Sequence, residues 1–223
     1  MGDRENKNAL FDAFASVAKA LASGRRAELV DVLAQGERPV EELAAEIGQS
    51  MANTSQHLRA LAHAGVVQTR REGTRIYYSL ASDRVADLWS ALRDVAVEHV
   101  AGFGRIADSY LGESNQIEAM TREELVRRLR RKDVVVLDVR PVAEYEAGHI
   151  RGAMSVPHSE VRKRLRDIAD GAEVVAYCRG PFCAYADEAV RALRKRGVRA
   201  RRLVDGFPEW RRAGLPVASG AGA

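Results

Sequence analysis

The two cysteines of this 223-residue chain stand in one short loop, Cys178-Arg179-Gly180-Pro181-Phe182-Cys183. Upstream runs Val174-Val175-Ala176-Tyr177, apolar and rich in β-branched residues. Downstream, Ala184 to Arg196 carries Ala186, Ala189, Val190 and Leu193 at helical spacing. A strand–loop–helix of this kind puts Cys178 at the carboxyl end of a strand, facing the amino end of a helix. Unpaired N–H groups and the positive end of the helix dipole favour an anion there, so a thiolate or persulfide is stabilised and its pKa falls. Two small buried hydrophobes are the plainer alternative at this point. Two cysteines in one loop make no disulfide framework; in a reducing compartment such a pair is more often redox-active or catalytic.

The elements that must hold this loop alternate in type. Asp133-Val134-Val135-Val136-Leu137-Asp138-Val139-Arg140 is a continuous apolar run, as in a strand buried on both faces. Before it, Thr121 caps a basic amphipathic helix with Leu125, Val126 and Leu129 inward and Glu123 and Glu124 in the first turn. Val156, a helix over about 159–168, the strand before Cys178, the helix after Cys183 and a strand at 202–204 continue the alternation. The pattern predicts an α/β domain over 116–223, built on a largely parallel sheet.

Two motifs bracket the cysteine loop. Asp138-Val139-Arg140-Pro141-Val142-Ala143-Glu144-Tyr145-Glu146-Ala147-Gly148-His149-Ile150-Arg151-Gly152-Ala153 resembles the amino-terminal signature of the rhodanese family. Leu203-Val204-Asp205-Gly206-Phe207-Pro208-Glu209-Trp210-Arg211-Arg212-Ala213-Gly214-Leu215-Pro216-Val217 resembles the carboxyl-terminal one. Cys178 lies between them at the family's catalytic position. The resemblance implies sulfane-sulfur transfer: Cys178 attacks a small donor such as thiosulfate or polysulfide, holds the sulfur as a persulfide and passes it to a thiol acceptor. Arg179, Gly180, Pro181, Phe182 and Cys183 then form the substrate-binding loop, with its amides and Arg179 supplying positive potential for an anion. Asp138, Arg140, Glu144 and His149 go to a structural network, and Trp210 to the core. Two departures stand out: the loop ends in Cys183, and Asp205-Gly206 replaces a common Gly-Gly pair. Phosphatases of the same fold carry a longer loop and an arginine six positions after the cysteine; here that position is Ala184.

The first half has a different pattern. Helical periodicity over 9–22, 25–33 and 40–47 leads to a further helix capped by Ser50 and running to about His63, with Met51, Thr54, Leu58, Leu61 and Ala62 inward. Two short helices joined at Gly48 make a helix-turn-helix candidate. Val66 to Arg71 and Arg75 to Leu80 then read as a hairpin about Glu72-Gly73-Thr74, giving a winged helix. Asn53-Thr54-Ser55-Gln56-His57-Leu58-Arg59-Ala60-Leu61, followed by Ala64-Gly65-Val66-Val67, resembles the ArsR-type family of bacterial regulators. On that reading Asn53, Gln56, His57 and Arg59 face the major groove, where Asn and Gln can pair with adenine. Arg70, Arg71 and Arg75 on the wing meet phosphates. Residues 82–111 form one long apolar helical segment, to which the resemblance gives the dimer interface. This half has no cysteine, and Glu98-His99 lacks a second histidine on the helix, so metal sensing is not expected.

Charge is divided unevenly. Residues 1–113 hold 13 Lys+Arg against 16 Asp+Glu, and residues 114–223 hold 22 against 15, within a net +4. Overall basicity therefore says nothing for DNA binding by the first half, which rests on local placement. No stretch approaches the ~18 apolar residues of a membrane helix, and the amino terminus has no apolar signal core, so a cytoplasmic protein is expected. The full expectation is a multidomain chain: a mainly α winged helix-turn-helix domain at 1–112, a polar linker, and an α/β rhodanese domain at 116–223. Its function would be that of a homodimeric repressor on a double-stranded DNA operator, sensing or transferring sulfane sulfur at Cys178 without cofactor or metal. A sulfurtransferase enzyme with an attached DNA-binding domain, and an oxyanion-binding module that never turns over, are the alternatives.

Overall fold

The structure, a computed structural model, describes residues 3–112, 117–164 and 172–221. It divides into two compact units, Met1–Ala96 and Val97–Ala223. The division falls inside a helix, upstream of the polar stretch 112–115 at which the sequence pattern places a linker; residues 113–116 lie outside the described residues.

The first unit strings together α1 (Arg4–Leu21), α2 (Gly24–Leu33), β1 (Arg38–Pro39), α3 (Val40–Glu46), α4 (Met51–His63), β2 (Val67–Glu72) and β3 (Arg75–Leu80), and enters α5 (Asp83–His99). Pro39 serves as N-cap of α3, and Arg38 and Pro39 pair antiparallel with Tyr78 and Tyr77 at the edge of the hairpin. Gly48, at φ 60°, turns the chain between α3 and α4. The Ser50 hydroxyl then accepts from the Asn53 N–H at 3.2 Å and starts α4. Leu29, Val30, Leu33, Leu43, Ile47, Leu58, Leu61 and Val66 form the core. Thr54 is buried as expected, but Met51 is 50% exposed and Ala62 is also exposed, because the buried stripe of α4 runs through Thr54, Leu58 and Leu61 alone.

The second unit takes in α6 (Phe103–Leu111), β4 (Ala119–Met120), α7 (Arg122–Arg131), β5 (Val134–Asp138), α8 (Val142–Ala147), β6 (His149–Ile150), β7 (Met154–Ser155), β8 (Glu173–Tyr177), α9 (Ala184–Arg194), β9 (Ala200–Leu203), α10 (Phe207–Arg212) and β10 (Val217–Ala218). A five-stranded sheet has the order β4-β9-β8-β5-β7 with every pairing parallel, and β10 and β6 form a small antiparallel pair. Alternation along β8 sends Val174 and Ala176 to one face, as Cys178 does beyond it, and Val175 and Tyr177 to the other. The first face packs on α9, and the second on Leu125, Phe207 and Trp210. Each of these large apolar side chains contributes about 1.5–3 kcal/mol by burial.

Two expectations need correction. The apolar segment 82–111 is two helices, broken where Gly102 takes a left-handed φ of 78° and caps α6. The helix expected over 159–168 is turn at 159–163, and 165–168 lies outside the described residues. No described helix is long and apolar enough to cross a membrane.

Candidate functional site

Cys178 follows β8 directly and is 2% exposed; Cys183 is the N-cap residue of α9. Their sulfurs are joined as a disulfide, with the Cα atoms 6.2 Å apart, inside the span that a cysteine pair can bridge. The Cys183 N–H returns to the Gly180 carbonyl at 3.2 Å and closes the loop as a turn. The strand and helix on either side therefore hold both sulfurs in one small volume.

The loop is held from below by the carboxyl-terminal motif. The Phe207 N–H donates to the Cys178 carbonyl at 3.1 Å. A Cβ on Gly206 would lie 2.3 Å from the Arg179 carbonyl carbon and from the Gly180 nitrogen. Only glycine leaves room for the loop to rest on this turn. Asp205, where a glycine is common, instead directs its carboxylate to Arg122 at 3.3 Å, away from the loop. Its carboxyl is nonetheless pushed above the ordinary carboxylate range, chiefly by burial.

Arg179 is already engaged. Its guanidinium grips Glu144 through Nε at 2.9 Å and Nη2 at 2.6 Å, and the Glu144 side chain has no exposed surface. The sequence pattern assigns this charge to an anionic donor; the structure gives it to Glu144, so its field at the loop is largely answered. Behind this pair, Asp138 receives the Arg140 Nε at 2.9 Å and Nη2 at 2.6 Å, together with the Tyr177 hydroxyl. Arg140 also donates to the Gly148 carbonyl at 2.6 Å and lies 4.4 Å from the Phe207 ring centroid. Asp138, Arg140 and Glu144 thus form the structural network expected of them. His149 stacks on Tyr145 at 3.7 Å, its Nδ1 2.8 Å from the Tyr145 carbonyl oxygen, and Trp210 is buried with its indole N–H on the Pro216 carbonyl at 3.0 Å.

Two features escape sequence reasoning. Asp187, in the first turn of α9, is 1% exposed with neither carboxylate oxygen hydrogen-bonded. Burial pushes its carboxyl above the ordinary range against the pull of Arg202, 3.5 Å away. Phe182 meets Phe103 of α6 edge to face, centroids 5.3 Å apart. Neither feature has a local sequence signal.

In the first unit, Asn53, Gln56 and Arg59 lie on the exposed face of α4, and His57 is half-buried. Arg70, Arg71 and Arg75 are exposed on β2 and β3, which pair in register from Val67↔Leu80 to Glu72↔Arg75. Arg70 is bound to Glu37 at 2.6 Å and Glu72 at 2.8 Å. Arg71 is held by the Gly73 carbonyl at 3.1 Å. The described residues contain no group of three or more His, Cys, Asp or Glu side chains placed to hold a metal.

Comparison with known proteins places two family models on the chain: "Bacterial regulatory protein, arsR family" over residues 23–69 and "Rhodanese-like domain" over 121–213. The HTH-type transcriptional regulator Rv0324 of Mycobacterium tuberculosis is 46% identical over 220 residues, covering 99% of this chain and 96% of the relative. The biofilm growth-associated repressor of Agrobacterium fabrum is 46% identical over 74 residues, 33% of this chain and 63% of the relative. Among solved structures, the homodimeric winged helix-turn-helix fragment 1–100 of Mb0332 from Mycobacterium bovis is 47% identical, with a TM-score of 0.42. It covers 45% of this chain and 93% of that fragment.

Proposed function

The chain belongs to the arsR family of bacterial regulatory proteins and carries a rhodanese-like domain, and from that premise we propose that it is a homodimeric DNA-binding repressor whose rhodanese-like domain senses sulfane sulfur at Cys178. Asn53, Gln56, His57 and Arg59 of α4 read base edges in the major groove of a double-stranded operator, while Arg71 and Arg75 on the wing meet phosphates. Arg70 joins them only by giving up Glu37 or Glu72.

The chemistry at the loop balances as two steps. The Cys178 thiolate attacks the outer sulfur of thiosulfate and expels sulfite, or attacks a polysulfide and expels the shortened chain. Either route leaves a Cys178 persulfide. The Cys183 thiol, losing its proton, then attacks the inner sulfur, forms the Cys178–Cys183 disulfide and expels hydrosulfide; two thiols are oxidised and one sulfane sulfur is reduced. The observation that carries this reading is the placement of both thiols in one loop, with Cα atoms 6.2 Å apart. A hundredfold loss of operator affinity requires ~2.7 kcal/mol of coupling, within the usual range for allostery.

The test is operator affinity before and after polysulfide treatment for wild type, Cys178→Ser and Cys183→Ser, with the mass of the loop peptide read on the same samples. Sensing by disulfide closure requires that both variants stay on DNA when wild type releases it, and that Cys178→Ser gain no sulfur. Release by Cys183→Ser would place the signal in the persulfide alone. If wild type gains sulfur but never releases the operator, the domain is a sulfurtransferase and not a sensor.

A further inference from the structure

A groove of about 690 Å³ lies in the second unit, and no residue of the cysteine loop lines it. One wall is a face of α9, with Glu188, Arg191 and Lys195 at helical spacing and Arg196 just beyond. The other is the segment 158–162, which supplies His158 and Arg162, while Val161, Ala189 and Ala192 give an apolar lining. Four cations thus share the groove with one carboxylate. Arg162, Lys195 and Arg196 are exposed and have no ion-pair partner among the described residues. Glu160, two positions from Arg162, is taken by Arg164 at 3.9 Å. Arg191 gives one N–H to the Leu111 carbonyl at 3.3 Å and keeps its other donors. Bases late in α9 answer the negative end of the helix dipole. That reason does not reach Arg162, which comes from a separate segment anchored by the buried Val161. A cleft lined by one sign of charge concentrates ions of the other.

We propose that this groove is an effector site for an organic diphosphate of the nucleoside diphosphate kind. The phosphates lie among Arg162, Arg191, Lys195 and Arg196, and the base and sugar lie on Ala189, Ala192 and His158. Two linked phosphates carry about three negative charges near neutral pH, which matches the excess of cations over Glu188. Guanidinium forks take phosphate oxygens in pairs. An inorganic ion has no use for the apolar lining, whereas a base does, and His158 offers it an aromatic ring. That ring is stacked on Tyr185, in the first turn of α9, with centroids 3.8 Å apart. From Tyr185 to Lys195 the helix rises about 15 Å, room for a base and sugar followed by two phosphates. The volume is that of a small-molecule site; duplex DNA is met across a broader surface. The site uses neither Cys178 nor Cys183, so it stands apart from the sulfur chemistry proposed above.

The experiment is calorimetric titration of the full chain with adenosine 5′-diphosphate. Wild type is compared with Arg162→Ala/Lys195→Ala and with Arg127→Ala/Arg130→Ala, which removes the same charge from exposed positions on α7. Saturable binding is expected in wild type, at least tenfold weaker in the groove variant and unchanged in the α7 variant. Inorganic pyrophosphate should bind at least tenfold more weakly than the nucleotide. A second measurement needs no variant: the photoreactive 8-azido analogue of the same nucleotide, irradiated on wild-type protein, should label peptides from 158–162 or 188–196. Absence of binding overturns the proposal, as does equal weakening in both variants, which would mean attraction by net charge alone. Pyrophosphate binding as tightly as the nucleotide removes the organic half of the ligand and with it the class assigned. Labelling confined to 178–183 would place the anion at the cysteine loop, and displacement of the label by duplex DNA would make the groove a DNA contact; either result refutes the effector site. Polysulfide-triggered operator release is read separately, so a failure here leaves the sensing reading intact, and nucleotide binding by a protein that ignores polysulfide does the reverse.

Discussion

Replacing Gly206 by alanine tests how the cysteine loop is held. The backbone at Gly206, φ −106° and ψ −172°, suits any residue, so the cost lies wholly in the space the methyl needs. That methyl would stand 2.3 Å from the Arg179 carbonyl carbon and the Gly180 nitrogen and 2.5 Å from the Arg179 oxygen, all backbone atoms that no rotamer change can remove. Loop and α10 must separate by roughly 1 Å to restore van der Waals contact. Overpacking of this kind costs about 1–3 kcal/mol. Loss of the bond from the Phe207 N–H to the Cys178 carbonyl adds about 1 kcal/mol. A total of about 2–4 kcal/mol lowers the melting temperature of a domain of this size by roughly 8–16 °C. A displacement of about 1 Å at the attacking sulfur can also slow persulfide formation on the order of a hundredfold. Thermal melts and the rate of sulfur gain at Cys178 by mass spectrometry measure the two effects. Asp205→Ala is the control, since its carboxylate meets Arg122 and not the loop; it should cost under about 1 kcal/mol and leave the rate alone. A Gly206→Ala protein that melts and gains sulfur as wild type does would refute the argument that the loop rests on this residue.

Asp138→Ala should be among the most damaging substitutions in the second unit, because it strands the wholly buried Arg140; about 3–5 kcal/mol is expected from chemical denaturation, and a loss under about 1 kcal/mol would contradict the pairing. On the wing, Arg71→Ala and Arg75→Ala should each lower the slope of log affinity against log salt by about 0.9 for every phosphate left unneutralised, whereas Gln56→Ala should relax base preference at constant slope. An unchanged slope in both arginine variants removes the wing from the interface. For Asp187 the sign follows from a folded pKa raised above the ordinary 3.8. The folded state holds the proton more tightly, so stability is highest below the unfolded pKa and falls as pH rises through the folded value. Asp187→Asn should therefore gain in urea midpoint over wild type at neutral pH and show no gain near pH 3; equal midpoints at neutral pH would mean that Arg202 fully compensates the buried carboxylate.

What the sequence made legible was whatever is written in local pattern. Ser50 and Thr121 cap helices because a hydroxyl three residues before an N–H needs no distant partner. Val134 to Asp138 reads as a central strand because burial on both faces removes the polar alternation. Gly73 marks the wing because a tight hairpin turn calls for positive φ, here 59°. The break at Gly102 is hidden because apolar residues continue at helical spacing on both sides of it, and periodicity does not record a single left-handed residue. The contacts that define the cysteine site are of another kind. Glu144 and Arg179, 35 positions apart, each look like surface charges until folding buries one against the other. Gly206 is written as one more turn glycine, and its real constraint, the backbone of Arg179 and Gly180, is supplied by a different part of the chain. Motif resemblance covers part of this gap, because a motif carries the record of a fold's long-range contacts without stating them. It places Asp138, Arg140 and Glu144 in a network correctly, yet has nothing to say where this chain departs from the pattern. Cys183 is such a departure. That it can reach Cys178 follows from the Gly180 turn and from the start of α9 at Ala184, which together set the Cα separation at 6.2 Å. Cys183 is thus readable as a type from the sequence and as the partner of Cys178 only from the fold.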